Sequence, residues 1–234
     1  MRKGSILPAT VYHGGVPMYF LQALIASYKA MPHLLPLQAE SSSMINLART
    51  RNGHAFLASD AEWIFLVDTD MLWEPGALIR LIQTAKEKKA KAVSGLAFMD
   101  HKGRIVPHAY QVIPNEDGGH TQNAYATLPS HTEPFQVHAV GGACFLVHRH
   151  VYEDVALLSK GKTAYLWQED VYQPGLDRQM GEDLSFCQRI RKAGHEIWYE
   201  PRAVFLHAQK PGFIGPVQYG EYLESLQAQV GNVA

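Results

Sequence analysis

The sequence predicts an α/β fold, in which helices flank a mixed but mainly parallel sheet within a single domain. Apolar runs of strand length alternate with segments of helical period three times in the first hundred residues, as in sheets with right-handed crossovers. A chain of 234 residues with 47% hydrophobic residues can bury a large core. We therefore predict one domain over 1–234, made of a first half over 1–100, a second half over 101–210 and a C-terminal loop and helix over 211–234.

The first half of the chain contains four predicted strands and three predicted helices. The strand over 62–68 is almost continuously apolar, as expected for a strand covered on both faces. Prolines in first turns and a run of serines predict where the helices begin. The other strands cover 4–11, 33–40 and 91–98, and the helices cover 16–30 with Pro17, 41–59 with serine caps, and 74–90 with Pro75.

The second half has a less regular pattern. Residues 103–148 predict two or three strands separated by a polar loop, and a short helix starts at about 149. Residues 159–181 show no period and predict a long loop, which in a compact domain is often functional. A helix from 182 closed by Gly194, one strand on each side of Pro201, and a last helix over 217–229 follow.

Composition and charge exclude some classes of function. A net charge of -1 and a pI near 6.9 give no general attraction to nucleic acid or anionic membranes, and the basic run over 86–92 is interpreted as a solvated helix face. No apolar stretch approaches the roughly 20 residues that span a bilayer, and the N-terminal apolar run is too short for a secretory signal. Cys144 and Cys187 lack metal-site spacing and are predicted to be buried free thiols. We expect a cytoplasmic protein without an integral membrane segment.

Two carboxylates follow the apolar strand over 62–68. Asp68 and Asp70 stand at its carboxyl end, where parallel sheets bind ligands. Charge at the end of a buried strand is costly unless it is compensated, and a divalent cation is one such compensator. His207 ends a later strand in the same way, and imidazole suits a transition metal such as manganese beside carboxylate oxygens. A hydrogen-bonded histidine without a metal is the alternative.

The predicted helix from 182 has an acid on its inward face. At 100° per residue, Asp183 points in the same direction as Phe186, Cys187 and Ile190. The unpaired amides of a helix N-terminus stabilise such an acid, so capping alone is one interpretation. A functional role is the other, because the long loop before this helix would leave Asp183 facing a cavity.

Taken together, these segments resemble a known family. The runs LARTRNGHAFLAS, FLVDTDM, VGGACFLVHR and GEDLSFCQRIRKAGHEIWYEPRAVFLH occur in an order similar to that of nucleotide-sugar-dependent glycosyltransferases with the GT-A fold. The resemblance covers roughly residues 4–210 and is closest to glycosyltransferase family 2 and its small phage and bacterial relatives. It implies a nucleotide-binding first half and a second half with the acceptor and catalytic residues. It also implies transfer from a nucleoside-diphosphate sugar, most commonly a UDP-sugar, to an acceptor hydroxyl.

The resemblance implies a role for each of the acidic residues and for the histidine. Asp70 and His207 would hold Mn²⁺ or Mg²⁺, while Asp68 would lie near the ribose or reach the metal through water. Asp183 would take the proton from the acceptor hydroxyl, as in inverting members, and Glu182 would orient the site or the acceptor.

Further positions match the donor-binding segments of the family. By helical period Arg51 falls in the apolar sector of the second helix and Arg49 on its edge. Spacing favours Arg49 as the contact to phosphate or base, with Arg51 as the alternative, and an inward arginine needs an anionic or hydrogen-bond-accepting partner. The implied donor contacts are Pro8, Ala9, Thr10, Tyr12, Arg49, Asp68, Thr69, Gly142 and Lys210.

Four glycines, a lysine and a tryptophan complete the set of candidates. Gly141 and Gly142 match the small residues that pass the donor sugar in the family, with a plain β-bulge as the alternative. Lys210 with Gly212 and Gly215 resembles a flexible lid over the diphosphate. Trp167 is interpreted either as a stacking surface for a sugar or base, or as a hydrophobic anchor.

Two other classes of function remain open from the sequence. A nucleotidyltransferase also uses an acidic pair at a strand end, but it usually carries a glycine- and lysine-rich signature near the first strand. A non-catalytic nucleotide- or carbohydrate-binding module would fit if Asp183 only caps its helix. The acceptor is open among a saccharide, a lipid-linked intermediate, a protein and a modified nucleobase.

Overall fold

The computed structural model describes residues 2–114, 120–125, 128–158, 166–167, 181–209 and 212–231. In the first hundred residues it contains the four predicted strands, the three predicted helices, one further short strand and the start of another. Only the end of the predicted strand over 33–40 is a strand, because Pro36 has no N–H to donate to a neighbour. The elements are β1 (Arg2–Tyr12), α1 (Met18–Ala30), β2 (Gln38–Ser41), α2 (Ile45–Ala58), β3 (Ala61–Val67), β4 (Met71–Trp73), α3 (Pro75–Glu87) and β5 (Ala92–Leu96).

The second half has more strands than the sequence predicts. Six strands, β7 to β12, lie between 103 and 148, so the prediction of two or three is wrong. Each of them has only two to six residues, and such short strands leave no long alternating pattern. The elements are β6 (Phe98–His101), β7 (Arg104–Pro107), β8 (Ala109–Pro114), β9 (His120–Ala124), β10 (Phe135–Val137), β11 (Ala139–Val140), β12 (Cys144–His148), α4 (Arg149–Leu158), α5 (Glu182–Lys192), β13 (Ile197–Gln209), β14 (Gly212–Ile214) and α6 (Pro216–Gly231).

The two strands predicted around Pro201 form the single strand β13. Its pairing with β5 shifts register between Glu200 and Val204, and this irregularity accommodates the proline. The serine caps predicted for α2 are also wrong. Met44 is the N-cap residue and makes no side-chain cap bond, and Ser42 Oγ accepts a hydrogen bond of 3.0 Å from the Met44 N–H before the helix begins.

The main sheet is mixed and mainly parallel, as predicted. Its strands lie in the order β10-β13-β5-β12-β3-β1-β2, and β4 and β14 pair with β13 outside this path. Strands β1, β2, β3, β5 and β13 run in one direction, while β12 and β10 run against it. Because β2 and β3 flank β1 on opposite sides, the chain reverses its winding there, and such switch points form a crevice at the carboxyl ends of the strands.

The sheet is covered on both faces. Ile64 and Leu66 of β3 pack into one hydrophobic cluster, whereas Phe65 and Val67 pack into another, because successive side chains of a strand point to opposite faces. The continuous apolar run of β3 is therefore explained by two helical layers. Among the described residues, no helix is long and apolar enough to cross a membrane.

Both cysteines are buried free thiols, as predicted. Burial raises the pKa of Cys144 and of Cys187 to about 12, so both stay protonated and unreactive near neutral pH.

A buried arginine fastens the end of α2. The guanidinium of Arg149 donates hydrogen bonds of 2.7–3.1 Å to the backbone carbonyls of Phe56, Leu57, Ser59 and Ala61. The last carbonyls of a helix have no partner within the helix and carry partial negative charge, so a cation there is stabilising. This contact ties α2 to the start of α4.

The irregular part of β13 is held by a buried carboxylate, Glu200. Its oxygens accept hydrogen bonds from the guanidinium of Arg202 at 2.8 Å, from the Arg202 N–H at 2.9 Å and from the Thr84 hydroxyl at 2.6 Å. Burial alone raises the pKa of Glu200, but these bonds outweigh it and leave the pKa below its ordinary value of 4.5.

We expect Glu200→Gln to destabilise the fold by about 2–3 kcal/mol near neutral pH, because bonds to a charged carboxylate are lost. Since the folded pKa is lowered, the carboxylate stabilises the fold above about pH 4.5, and this contribution disappears as the pH falls through the folded value. Urea unfolding at several pH values should therefore show a difference in the free energy of unfolding between wild type and variant, and this difference should become smaller in acid. Glu224→Gln, at an exposed residue, is the control. A difference in the free energy of unfolding that does not depend on pH would contradict the prediction.

Candidate functional site

Strand pairing brings Asp70 and His207 together across 137 positions of the chain. Strand β4, which starts directly after Asp70, pairs antiparallel with β13 so that Met71 lies opposite His207. The Ala208 N–H donates a 2.8 Å hydrogen bond to the carbonyl of Asp70. As a result, Nε2 of His207 lies 3.1 Å from Oδ2 of Asp70, within hydrogen-bond distance.

The imidazole of His207 is oriented by the backbone. Its Nδ1 lies 2.9 Å from the carbonyl of Phe98, so Nδ1 carries the donated proton and Nε2 is directed at Asp70. Burial lowers the pKa of His207, but the hydrogen bond and charge of Asp70 and the Phe98 carbonyl outweigh it and raise the pKa above 6.5. In the absence of a proton, two acceptor atoms face each other, and a cation would resolve this conflict.

The residues present fit a divalent cation that is completed by substrate. Oδ1 of Asp70 is buried and accepts no hydrogen bond, so it is available as a ligand. The contact of Nδ1 with a carbonyl is the usual support of a metal-ligating histidine. Within the described residues, no group of three His, Cys, Asp or Glu side chains is placed to hold a metal alone. Mn²⁺ or Mg²⁺ would thus need further oxygens, and substrate phosphates commonly provide them.

A second cluster surrounds Arg49, whose side chain is only 3% exposed. Its Nη2 donates to both carboxylate oxygens of Asp68 at 3.2 Å. Its Nη1 donates to Oε1 of Glu182 at 3.3 Å and contacts Oδ1 of Asp183. Three carboxylates from two segments of the chain therefore share one cation. The expectation that an inward arginine needs an anionic partner is met by these carboxylates.

Arg51, the alternative to Arg49, has a different environment. Its side chain is 52% exposed, and its Nη1 lies 3.9 Å from Glu40. Helical period predicts that Arg51 lies in the apolar sector of α2 and Arg49 on its edge. This prediction is wrong, since Arg49 is buried and Arg51 faces solvent. Helical period failed here because the buried face of α2 is largely polar and includes Thr50 and Asn52.

Glu182 and Asp183 occupy the first turn of α5, as the sequence predicts. Residue 181, the N-cap, is a glycine and makes no side-chain cap bond, so the helix N-terminus is open to these two acids. About a quarter of the Asp183 side chain is exposed, 27%, which leaves it accessible to a ligand. Its ion-pair partner is Arg49.

A cleft of about 390 Å³ lies at the carboxyl edge of the sheet, at the switch point beside β1. It is bounded by the turn after β1, the residues before and within the first turn of α2, and the loop after β3. Asp68 belongs both to this cleft and to the Arg49 cluster, and Asp70 belongs both to the cleft and to the His207 pair. The lining residues are Val11, Tyr12, His13, Ser42, Ser43, Ile45, Asp68, Thr69 and Asp70.

The predicted donor contacts divide into two groups. Tyr12, Asp68 and Thr69 line the cleft. Pro8, Ala9 and Thr10 are buried inside β1 and pair with neighbouring strands; their contact with a nucleotide stays a prediction. Lys210 lies outside the described residues, so its role as part of a lid is likewise still a prediction.

Gly141 and Gly142 lie in the turn before β12. A Cβ on Gly142 would overlap the guanidinium of Arg49 and lie 2.7 Å from Oδ1 of Asp183. A Cβ on Gly141 would lie 2.6 Å from Nδ1 of His108. The absence of side chains at these two positions thus makes room for the side chains of Arg49, Asp183 and His108.

Trp167 is a hydrophobic anchor in the structure. Its side chain is 2% exposed and its ring stacks on Phe186 at 3.9 Å. Its indole N–H donates to the Tyr152 hydroxyl at 3.2 Å. An open stacking surface for a sugar or base is therefore not available at this side chain.

His108 lies beside His207, although it is not among the residues predicted from the sequence. Its ring centre lies 5.5 Å from that of His207, and both ring nitrogens are buried without a hydrogen-bond partner. Burial and the neighbouring His207 lower the pKa of His108 to about 4, so the ring is neutral near pH 7. A histidine within a run of short strands carries no signal in the sequence that indicates this position.

Comparisons with known proteins show the family and the fold of this chain. The sequence profile of the family described as "Glycosyltransferase like family 2" matches residues 29–218. Two strains of Mycobacterium tuberculosis contain an N-acetylglucosaminyl-diphospho-decaprenol L-rhamnosyltransferase that is 25% identical over 204 residues, covering 80% of this chain. The chain spans only 61% of the length of these relatives.

Solved structures share the fold. The crystal structure of A197 from STIV superposes with a TM-score of 0.58 at 11% identity, over 92% of this chain and 91% of that one. The structure of GalNAc-T7 with UDP, GalNAc and Mn²⁺ superposes with a TM-score of 0.53 at 12% identity, over 84% of this chain and 42% of that one. At such identities the likeness is one of fold alone, and it agrees with the predicted GT-A architecture.

Proposed function

The chain belongs to the glycosyltransferase family 2-like proteins, and on this premise we propose that it transfers a sugar from a nucleoside-diphosphate sugar to an acceptor hydroxyl. One observation carries the proposal: the cleft at the switch point ends at Asp70, which pairs with His207. A donor nucleotide in this cleft would lie against Tyr12 and Thr69 and direct its diphosphate toward Asp70.

We further propose that the reaction depends on a divalent cation, Mn²⁺ or Mg²⁺, held by Asp70 and His207. When bound, such an ion neutralises the negative charge that gathers on the departing diphosphate. The Phe98 carbonyl keeps Nε2 of His207 directed at the ion site. Asp68 lies next to Arg49 and borders the cleft, where it would approach the ribose or a water on the ion.

Asp183 is proposed as the general base. Its carboxylate stands at the open N-terminus of α5, where helix amides stabilise the charged form. A carboxylate there accepts the proton of the acceptor hydroxyl as the hydroxyl oxygen attacks the sugar carbon and the bond to the diphosphate breaks. Direct attack of this kind inverts the configuration at that carbon. Glu182, which hydrogen-bonds to Arg49, would orient the acceptor.

The acceptor is proposed to be a lipid-linked saccharide. This proposal is supported by the relatives in Mycobacterium tuberculosis, whose name specifies N-acetylglucosaminyl-diphospho-decaprenol as the acceptor. The donor base is proposed to be uracil on the strength of the family resemblance. We place the reaction in the cytoplasm, since both cysteines are free and buried.

The test is a screen of UDP-, dTDP- and GDP-sugars with MnCl₂, MgCl₂ or EDTA. Thermal unfolding identifies the donor, because a ligand that binds only the folded state raises the melting temperature. Release of nucleoside diphosphate, with and without a lipid-linked acceptor, then measures turnover. Sugar transfer that stops in EDTA supports the proposal. Binding without any turnover would instead indicate a nucleotide-binding module, and release of sugar 1-phosphate from the nucleotide sugar would indicate a nucleotidyltransferase.

A further inference from the structure

One arginine side chain connects the donor side of the site with its acceptor side. Nη2 of Arg49 contacts Asp68, in the loop after β3, whereas Nη1 contacts Glu182 and Asp183, in the first turn of α5. We propose that Arg49 is a positioning residue that sets the separation between the carboxylates of Asp68 and Asp183. This inference rests on the proposed function, because it takes Asp183 as the acceptor of the proton.

The shape of the guanidinium explains why an arginine serves here. Its two terminal nitrogens point to different partners, at 3.2 Å to both oxygens of Asp68 and at 3.3 Å to Glu182. A planar fork can bridge two carboxylate groups in a fixed geometry, whereas the ammonium of lysine is a single point charge on a flexible stem. An exchange of Arg49 for lysine therefore keeps the charge and loses the bridge.

The guanidinium is itself held in place on its sides. Its Cζ lies 5.0 Å from the centre of the Trp167 ring. Gly142 lies so close that an added Cβ would overlap the guanidinium. Trp167 also stacks on Phe186 of α5, and its backbone N–H donates to Thr50 of α2 at 3.2 Å. A side chain confined in this way can hold α5 at a fixed distance from the loop after β3.

Charge makes the position of Asp183 depend on Arg49. Asp68, Glu182 and Asp183 share this cation, and Glu182 and Asp183 also lie at the amides of the first turn of α5. Without the guanidinium, three neighbouring carboxylates would repel one another in a partly buried place. Asp183 would then move away from the point at which it meets the acceptor hydroxyl.

A direct contact of Arg49 with the donor phosphates predicts a different kinetic result. The side chain is 3% exposed, its nitrogens face protein carboxylates, and the cleft is lined by Asp68 but not by Arg49. Loss of a phosphate contact would weaken the binding of nucleoside diphosphate. Loss of a positioning contact would lower kcat at saturating donor and leave that binding unchanged.

The experiment compares Arg49→Lys with Arg51→Lys, an exposed arginine two residues further along the same helix. Calorimetry measures the binding of UDP with MnCl₂, and steady-state kinetics measure kcat with the donor identified by the screen. We expect Arg49→Lys to lower kcat by about 100-fold, the effect of a misplaced reacting group, with unchanged UDP affinity. Arg51→Lys should leave both quantities unchanged. Guanidinium ions, but not ammonium ions, should restore part of the activity of Arg49→Ala.

Gly142→Ala provides a second test if the Arg49 variants do not fold. The added methyl group displaces the guanidinium without removing its charge, so kcat should again fall while UDP affinity is kept. Weaker UDP binding at unchanged kcat would overturn the proposal in favour of a phosphate contact. Unchanged kcat in folded Arg49→Lys would remove any positioning role, although transfer by the wild type would still support the proposed function. If the wild type shows no transfer activity, both the positioning role of Arg49 and the proposed function are refuted.

Discussion

Replacement of Asp183 by asparagine is expected to lower kcat for sugar transfer by about 10²–10⁴-fold, the usual contribution of a general base. Asparagine has nearly the same shape as aspartate, but its amide does not accept a proton at neutral pH. Donor binding should persist, because Asp183 does not line the cleft that contains Tyr12, Thr69 and Asp70. The expected fall in kcat therefore reflects a slower chemical step and not weaker donor binding.

The fold should tolerate this change. Arg49 keeps its hydrogen bonds to Asp68 and Glu182 when the contact to residue 183 loses its charge. Steady-state kinetics with calorimetry of UDP binding separate kcat from affinity, and thermal unfolding checks the folded state. Asp60→Asn, an exposed acid elsewhere in the chain, is the matched control. Full transfer activity in Asp183→Asn would remove the general-base assignment and leave only helix capping for this residue.

Replacement of Asp70 by alanine is expected to abolish the tightening of nucleoside diphosphate binding by Mn²⁺. The loss should be about 100-fold or more, because changing even the outer support of a metal ligand costs 10–100-fold in affinity. His207 alone offers a single nitrogen, which does not hold Mn²⁺ against water and buffer. In EDTA, wild type and Asp70→Ala should bind UDP with the same weak affinity.

Calorimetry with UDP in MnCl₂ and in EDTA measures this difference directly. Glu74→Ala is the control, since Glu74 is exposed, lies four residues further along the chain and makes no cap bond with its side chain. A variant that removes His207 should show the same loss of the Mn²⁺ effect. If Asp70→Ala binds UDP in MnCl₂ as tightly as the wild type does, the metal site is not at this pair.

The first half of the fold could be predicted because its signals are local. The continuous apolar run of β3 and the proline at the start of α3 identify these elements within a few residues. The second half could not be predicted in the same way. Strands such as β11, with only two residues, are defined by their partners in the sheet and not by their own sequence.

The functional residues show the same division. Asp70 was recognisable as a polar residue after a strand, whereas His207, predicted to end its strand, lies within β13, which continues to Gln209. Their 3.1 Å contact depends on the pairing of β4 with β13. His108 had no signal at all, since only the fold places its ring 5.5 Å from that of His207. The predicted burial of Arg49 and Arg51 on α2 was wrong, because helical period does not reveal a buried polar face.

The amino-acid sequence by itself determined which segments of the first half become strands and helices, and which side chains can donate, accept or bind a cation. It also placed the chain near its family through the order of its motifs. Only the tertiary structure decided that Arg49 is shared by Asp68, Glu182 and Asp183, and that a cleft ends at Asp70. The reason is physical: periodicity and capping act over a few residues, whereas charge compensation depends on groups that the sheet brings together from distant positions.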